Sequence, residues 1–289
     1  MIAPGLMIRP EGYDVKIENL TAEIFNFHVQ GPVSTAVIEK VTGENVSDLE
    51  FISFRDVRIA GKTVRLYRGG MSGETGYELF GNSADGSVIW DAVVEAGREY
   101  GLRQLGQRSL MLNHLQAYFP TIWVDFIPAV VSGAEALHRS PVDYGWERLV
   151  DKTRDFPGKT AIMEEAAAPK TRCVTLEWNS EDCVNIFASL FDQDNEAFEQ
   201  MPLPVNTSDF SAACPQFIPA FSKEQQMIGL VSNRGYSCQY KKVISLANID
   251  INYAQEGTEL FVLYGSEGRR QTMIRATVTR TPYKADRRK

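Results

Sequence analysis

The stretch RGGMSGETGYELFG, residues 68–81, places five glycines and two glutamates in fourteen positions. A phosphate cradle of the Walker type requires GxxxxGK[ST], and a dinucleotide fingerprint requires GxGxxG between a strand and a helix. Neither spelling occurs, and Glu74 at the tip of such a loop repels a phosphate. Two readings of the residues remain. One is a plain hairpin, with the turn built on Gly69–Gly76 and a return strand TGYELF. The other follows from alternation in Tyr77-Glu78-Leu79-Phe80, which puts Glu78 on the face opposite Tyr77 and Leu79. An ionised carboxylate only accepts hydrogen bonds, and it matches two parallel N–H donors such as a guanidinium or an aminopyrimidine edge, the edge that a pterin presents.

Other reactive residue types are sparse. The three histidines, His28, His114 and His138, form no HxH or HxxxH pair, and Cys173, Cys183, Cys214 and Cys238 form no CxxC. No metal site is expected, and the thiols read as reduced and structural. The formal charge of -7 provides no basic field for a phosphate backbone, which excludes nucleic acid as a partner. No run of 18 apolar residues appears, and MIAPGLMIRPEGYDV lacks the order of a signal peptide. The expectation is a cytoplasmic protein without membrane contact.

The elements that must position Glu78 are legible in outline. FNFHVQGP (25–32) reads as a strand closed by a Gly-Pro break, VSTAVIEKVTG as a helix, and VRIA and TVRLYR as a hairpin around Gly61-Lys62. SVIWDAVVEAGREYG has helical spacing and ends on Gly97 or Gly101. LGQRSLMLNHLQAYF reads as a further helix broken at Pro120, and 120–145 as loop. Beyond about residue 165, CVTLEWN, QMIGLVSN, KKVISLANI, GTELFVLYG and MIRATVTRT are strand-like runs suited to a small barrel or sandwich. The stretch 191–222 lacks periodicity and reads as a long insertion.

Several motifs in fixed order resemble one family: QGP at 30–32, SGETGYELF at 72–80, WDAVVEAGREYGLRQLGQRS at 90–109, DFPGK at 155–159, and RGYSCQYKKVISLANID at 234–250 followed by GTEL and TPYK. The sequence is similar to the folate-binding family of the glycine-cleavage T-protein and its tetrahydrofolate-dependent O-demethylase relatives. LEFISFRDVRIAGKTVRLYRGGMSG and VTLEWNSEDCVNIFASLFD look closest to demethylases of aromatic ethers such as vanillate and syringate.

The resemblance implies an α+β chain. A partial folate-binding α/β domain over 1–145 precedes a C-terminal β-barrel domain over 146–289. It implies tetrahydrofolate as cofactor, a small-molecule methyl donor, and a role in aromatic catabolism and one-carbon metabolism. Glu78 matches the glutamate that grips the pterin, and Phe51 an aromatic packed near it. His28 stands where demethylases present a glutamine to folate, and Phe119 where they carry a tryptophan. Arg108 matches an arginine that forks onto a carboxylate of substrate or folate, or onto an internal Glu or Asp. No catalytic residue is assigned; Arg108, His114 and Tyr118 are the candidates. Leu110 and Met71 stand where relatives carry tyrosines, which leaves the methyl donor unnamed. Relatives also begin with a longer N-terminal portion, so the resemblance implies a fragment, a late-start gene model or one half of a split protein whose missing part comes from a separate chain. The alternatives to O-demethylation are aminomethyl or N-methyl transfer and folate binding without catalysis.

Overall fold

A computed structural model describes residues 14, 16, 18–201 and 217–288. Contacts divide the chain into two compact units. The first comprises residues up to Val29, Val33–Gly69 and Tyr77–Leu102, and the second Gln30–Pro32, Gly70–Gly76 and Arg103–Lys289. Residues 103–145, which the sequence reading assigns to the first domain, thus cluster with the barrel. Among them α3 (Gln107–Gln116) contacts two of its strands.

The first unit is a four-stranded sheet in the order β1-β4-β3-β2, built from β1 (Ile24–Gln30), β2 (Ser53–Ile59), β3 (Lys62–Arg68) and β4 (Gly76–Asn82). Two helices, α1 (Ser34–Thr42) and α2 (Gly86–Gly97), seal one face. Period-2 alternation sends Val57, Ile59, Val64, Leu66, Tyr77 and Leu79 to that face, where Ile38 and Ile89 meet them. Both helices start and stop where the sequence signals them. Gly43 caps α1 in the left-handed region, and α2 tightens into a 3-10 turn, Arg98–Tyr100, that ends on Gly101.

The β2–β3 hairpin pairs Ile59 with Lys62, so its two-residue turn is Ala60-Gly61, one residue before the expected Gly61-Lys62. Both turn residues have positive φ, 49° and 77°. This is the primed turn whose twist matches that of the strands it joins, and Gly61 supplies the freedom it needs.

The second unit contains a closed barrel in the order β10-β5-β8-β7-β6-β9. Its strands are β5 (Thr171–Trp178), β6 (Ile218–Phe221), β7 (Met227–Ser237), β8 (Lys242–Asp250), β9 (Glu259–Tyr264) and β10 (Thr272–Thr279). Strand β6 corrects the reading of 191–222 as an insertion, because Ile218–Phe221 closes the ring between β7 and β9; residues 202–216 of that stretch lie outside the described residues. It has four residues, one of them Pro219, and its pairing with β7 is irregular after Ala220, which erases the alternation that marks a strand.

Two further helices, α4 (Lys159–Ala167) and α5 (Ser180–Ala188), also escaped the sequence reading. The start of α5 carried a signal: Asn179 caps it by accepting from the Asp182 N–H, and Glu181 and Asp182 occupy its first turn. Helix α3 ends at Gln116 rather than running to Pro120, since proline disfavours helical backbone at Phe119 and the chain already turns at Tyr118 with φ 54°.

Inside the barrel Trp178 is buried beside Tyr264, and its indole N–H donates to Ser245 Oγ at 2.9 Å. Trp178→Phe leaves that hydroxyl without its donor and opens a void. The variant is expected to lose about 2 kcal/mol of stability in urea unfolding, with far-UV circular dichroism unchanged.

Candidate functional site

In the first unit, the face of the sheet turned away from the helices carries the side chains that alternate with the core set. Strand register lines up Phe54, Tyr67 and Glu78 across β2, β3 and β4, and Asp56, Arg65 and Phe80 in the next row. Strand β1 adds Asn26 and His28 beside Glu78. Asn26 Nδ2 donates to Glu78 Oε2 at 3.2 Å, and His28 Nε2 lies 3.5 Å from the same oxygen. The carboxylate is 18% exposed and the imidazole 29%.

Electrostatics separate Glu78 from the other carboxylate of this face. Asp56 is engaged by Arg65 through two hydrogen bonds of 2.9 and 3.3 Å, which hold its pKa below the usual range. The Arg65 guanidinium also stacks 4.8 Å from the Phe54 ring centre. Glu78 has no arginine or lysine in ion-pair contact among the described residues, and its Oε1 accepts no hydrogen bond from them. One oxygen is oriented by the protein while the other accepts no hydrogen bond from a described residue. Glu78 and His28 are candidates from the sequence; Asn26 and Tyr67 are not, because their positions relative to Glu78 depend on strand pairing. Phe51 is half-buried in the turn that enters β2.

The remaining candidates belong to the second unit. Arg108 is exposed in the first turn of α3, with no hydrogen bond or ion pair to a described residue. His114 is buried on the same helix, its Nδ1 3.1 Å from Thr121 Oγ1 and its ring 5.1 Å from that of Phe119. Those two candidates therefore stand together. Tyr118 turns elsewhere. Its hydroxyl donates to the Cys173 carbonyl at 3.0 Å, and burial, reinforced by Cys173, pushes its pKa far up. That phenol braces the protein and is not placed to donate to a ligand.

Glu74, the other glutamate of the glycine run, is an anchor of the second unit. It pairs with Lys284 at 2.9 Å, while the Arg287 N–H donates to Gly73 O and Arg288 donates to Gly70 O. The C-terminal residues thus clasp the tip 70–76. No group of His, Cys, Asp and Glu among the described residues is arranged to hold a metal ion, and no helix among them is long and apolar enough to cross a membrane.

A buried carboxylate that the sequence did not signal organises the loop after α3. Asp125 accepts from the Thr121 N–H at 2.8 Å, from Ser232 Oγ at 2.7 Å and from the Asn233 N–H at 3.3 Å. It ties the loop to the irregularity of β7 between Val231 and Arg234. Tyr118 and Trp123, with φ of 54° and 68°, are held in a region that non-glycine residues seldom occupy. Burial outweighs the three hydrogen bonds and pushes the Asp125 carboxyl up to about 6.

The fold is shared with an aminomethyltransferase of the glycine cleavage system. The solved aminomethyltransferase T of the glycine cleavage system from Bartonella henselae superposes with a TM-score of 0.66 at 17% identity, over 91% of this chain and 60% of that one. Residues 5–136 match the GCVT N-terminal domain. A sesamin methylene transferase from Sinomonas sp. is 33% identical over 98% of this chain and 70% of its own length. A syringate O-demethylase from Sphingobium sp. is 30% identical over 90% and 63%, and an aminomethyltransferase from Alkaliphilus metalliredigens 26% identical over 94% and 64%. The chain belongs to the GCVT family, and it spans about two thirds of the length of these relatives.

The raised Asp125 pKa fixes a sign. The folded state holds this proton more tightly than the unfolded chain, so ionisation costs stability as pH rises from about 4 to 6 and the loss is complete above that range. Relative to Asp125→Asn, the wild-type chain is expected to lose about 3 kcal/mol between pH 4 and 7, as measured by urea unfolding. A difference that stays constant with pH contradicts this ionisation.

Proposed function

We propose that this chain binds tetrahydrofolate and takes part in one-carbon transfer from an aromatic ether, giving 5-methyltetrahydrofolate from a methoxylated aromatic acid. The observation that carries the reading is the Glu78 carboxylate. It lies on the uncovered face of a helix-backed sheet, with Oε2 held by Asn26 and Oε1 left as a bare acceptor. An amino-oxo pyrimidine ring offers adjacent N–H donors that suit such a group. When bound there, tetrahydrofolate would supply a nucleophilic nitrogen to accept the methyl group, the C–O bond breaking with its electron pair on oxygen and the nitrogen's proton ending on the phenol released. The part of Glu78, Asn26 and His28 is to fix the ring and hence the direction of that nitrogen, a contribution of proximity and orientation.

The similarity to a syringate O-demethylase and a sesamin methylene transferase supports an aromatic ether as the donor. The similarity to aminomethyltransferases supports the alternative, an amine-borne one-carbon unit. The portion of the relatives that this chain does not span is proposed to come from a separate chain or segment, and the setting is proposed to be cytoplasmic. Folate binding without turnover across a panel of methoxylated benzoates, assayed with that portion present, removes the enzyme reading.

Glu78→Gln replaces a charged acceptor by an amide of the same shape. Titration calorimetry is expected to show tetrahydrofolate binding weakened by about 1.5 to 3 kcal/mol, roughly 10- to 150-fold. Unchanged affinity overturns the assignment of the ring to Glu78.

A further inference from the structure

Tyr67 is a large aromatic residue on the wrong side of the sheet for the core. Its neighbours in β3, Leu66 and Val64, are buried among the helices, whereas Tyr67 is directed to the face that carries Glu78 and is its direct cross-strand partner. Among the described residues its hydroxyl makes no hydrogen bond and its ring meets no other ring at stacking or edge distance. On its other flank Phe54 is already covered by Arg65.

The ring occupies the space beside a residue that lacks a side chain. A Cβ added to Gly69 meets Tyr67 Cε1 at 2.3 Å, Cζ at 3.0 Å and Cδ1 at 3.1 Å, and these are its three nearest atoms. Gly69 is not in the left-handed region, so its backbone accepts alanine. What glycine provides at this position is room for the ring of Tyr67, the cross-strand partner of Glu78.

We propose that Tyr67 is a second ligand-contacting residue of this face. Its ring forms the wall against which a flat amino-substituted heteroaromatic ring stands while Glu78 takes the amino edge. This rests on the reading of Glu78 given above, and adds to it the residue that sets the orientation of the ring plane. Aromatic contact of this kind favours flat ligands over saturated ones that offer the same N–H donors.

Gly69 gives a test that a merely structural tyrosine does not satisfy, because Gly69→Ala displaces the ring without removing it. Binding of folic acid, which carries the same amino-oxo ring and does not turn over, is measured by calorimetry for the full chain, Tyr67→Phe, Tyr67→Ala, Gly69→Ala and the double variant Tyr67→Ala/Gly69→Ala. Tyr67→Ala and Gly69→Ala are each expected to weaken binding about three- to tenfold, with Tyr67→Phe close to wild type. The double variant is expected to be no weaker than Tyr67→Ala alone, since the alanine methyl then has nothing to displace. Additive losses, or wild-type affinity in Tyr67→Ala, overturn the assignment. If Glu78→Gln still weakens binding in that case, only the role of Tyr67 falls. If the wild-type chain binds no folic acid, the Glu78 reading falls with it.

Discussion

Alternation along Tyr77-Glu78-Leu79 is the constraint from which the candidate site follows. Tyr77 and Leu79 are fully buried against α1 and α2, and a one-residue slip of β4 exposes both while burying the carboxylate. The core therefore sets the side on which Glu78 emerges. Strand pairing then supplies its surroundings: Tyr67 from β3, and Asn26 and His28 from β1. A ligand site made in this way is as rigid as the sheet that carries it, which suits a reaction helped mainly by orientation.

Charge on the same face is unevenly distributed. Asp56 and Arg65 pair with each other one row away. Among the described residues, Glu78 accepts from the Asn26 amide on one oxygen and from no donor on the other. That asymmetry is what distinguishes a receptive carboxylate from one half of a surface ion pair. Glu74, four residues earlier, shows the contrast. Its partner is Lys284, both side chains are largely buried, and its work is to clasp a loop.

Local signals in the sequence accounted for the first unit almost element by element. Gly43 and Gly101 stop helices, Ala60-Gly61 turns a hairpin, and β4 alternates cleanly. What escaped depends on residues far apart in the chain. Strand β6 is defined by its neighbours β7 and β9 rather than by its own four residues. Asp125 gains its role from Ser232 and Asn233, more than one hundred positions away. Within the site, Glu78 and His28 were legible through resemblance, while Asn26 and Tyr67 needed the register of the sheet. Tyr118 carried the type of a proton donor, but only the fold directs its hydroxyl to the Cys173 carbonyl.

The central claim is that Glu78 accepts the amino edge of a pterin, and the most direct test alters the ligand rather than the protein. Calorimetric titration of the chain with folic acid and with its analogue bearing methyl in place of the 2-amino group compares two rings of the same shape. The account predicts that the analogue binds at least about tenfold more weakly, because the charged acceptor then loses a donor, and that Glu78→Gln narrows the gap. Equal affinity of the wild-type chain for the two ligands contradicts it.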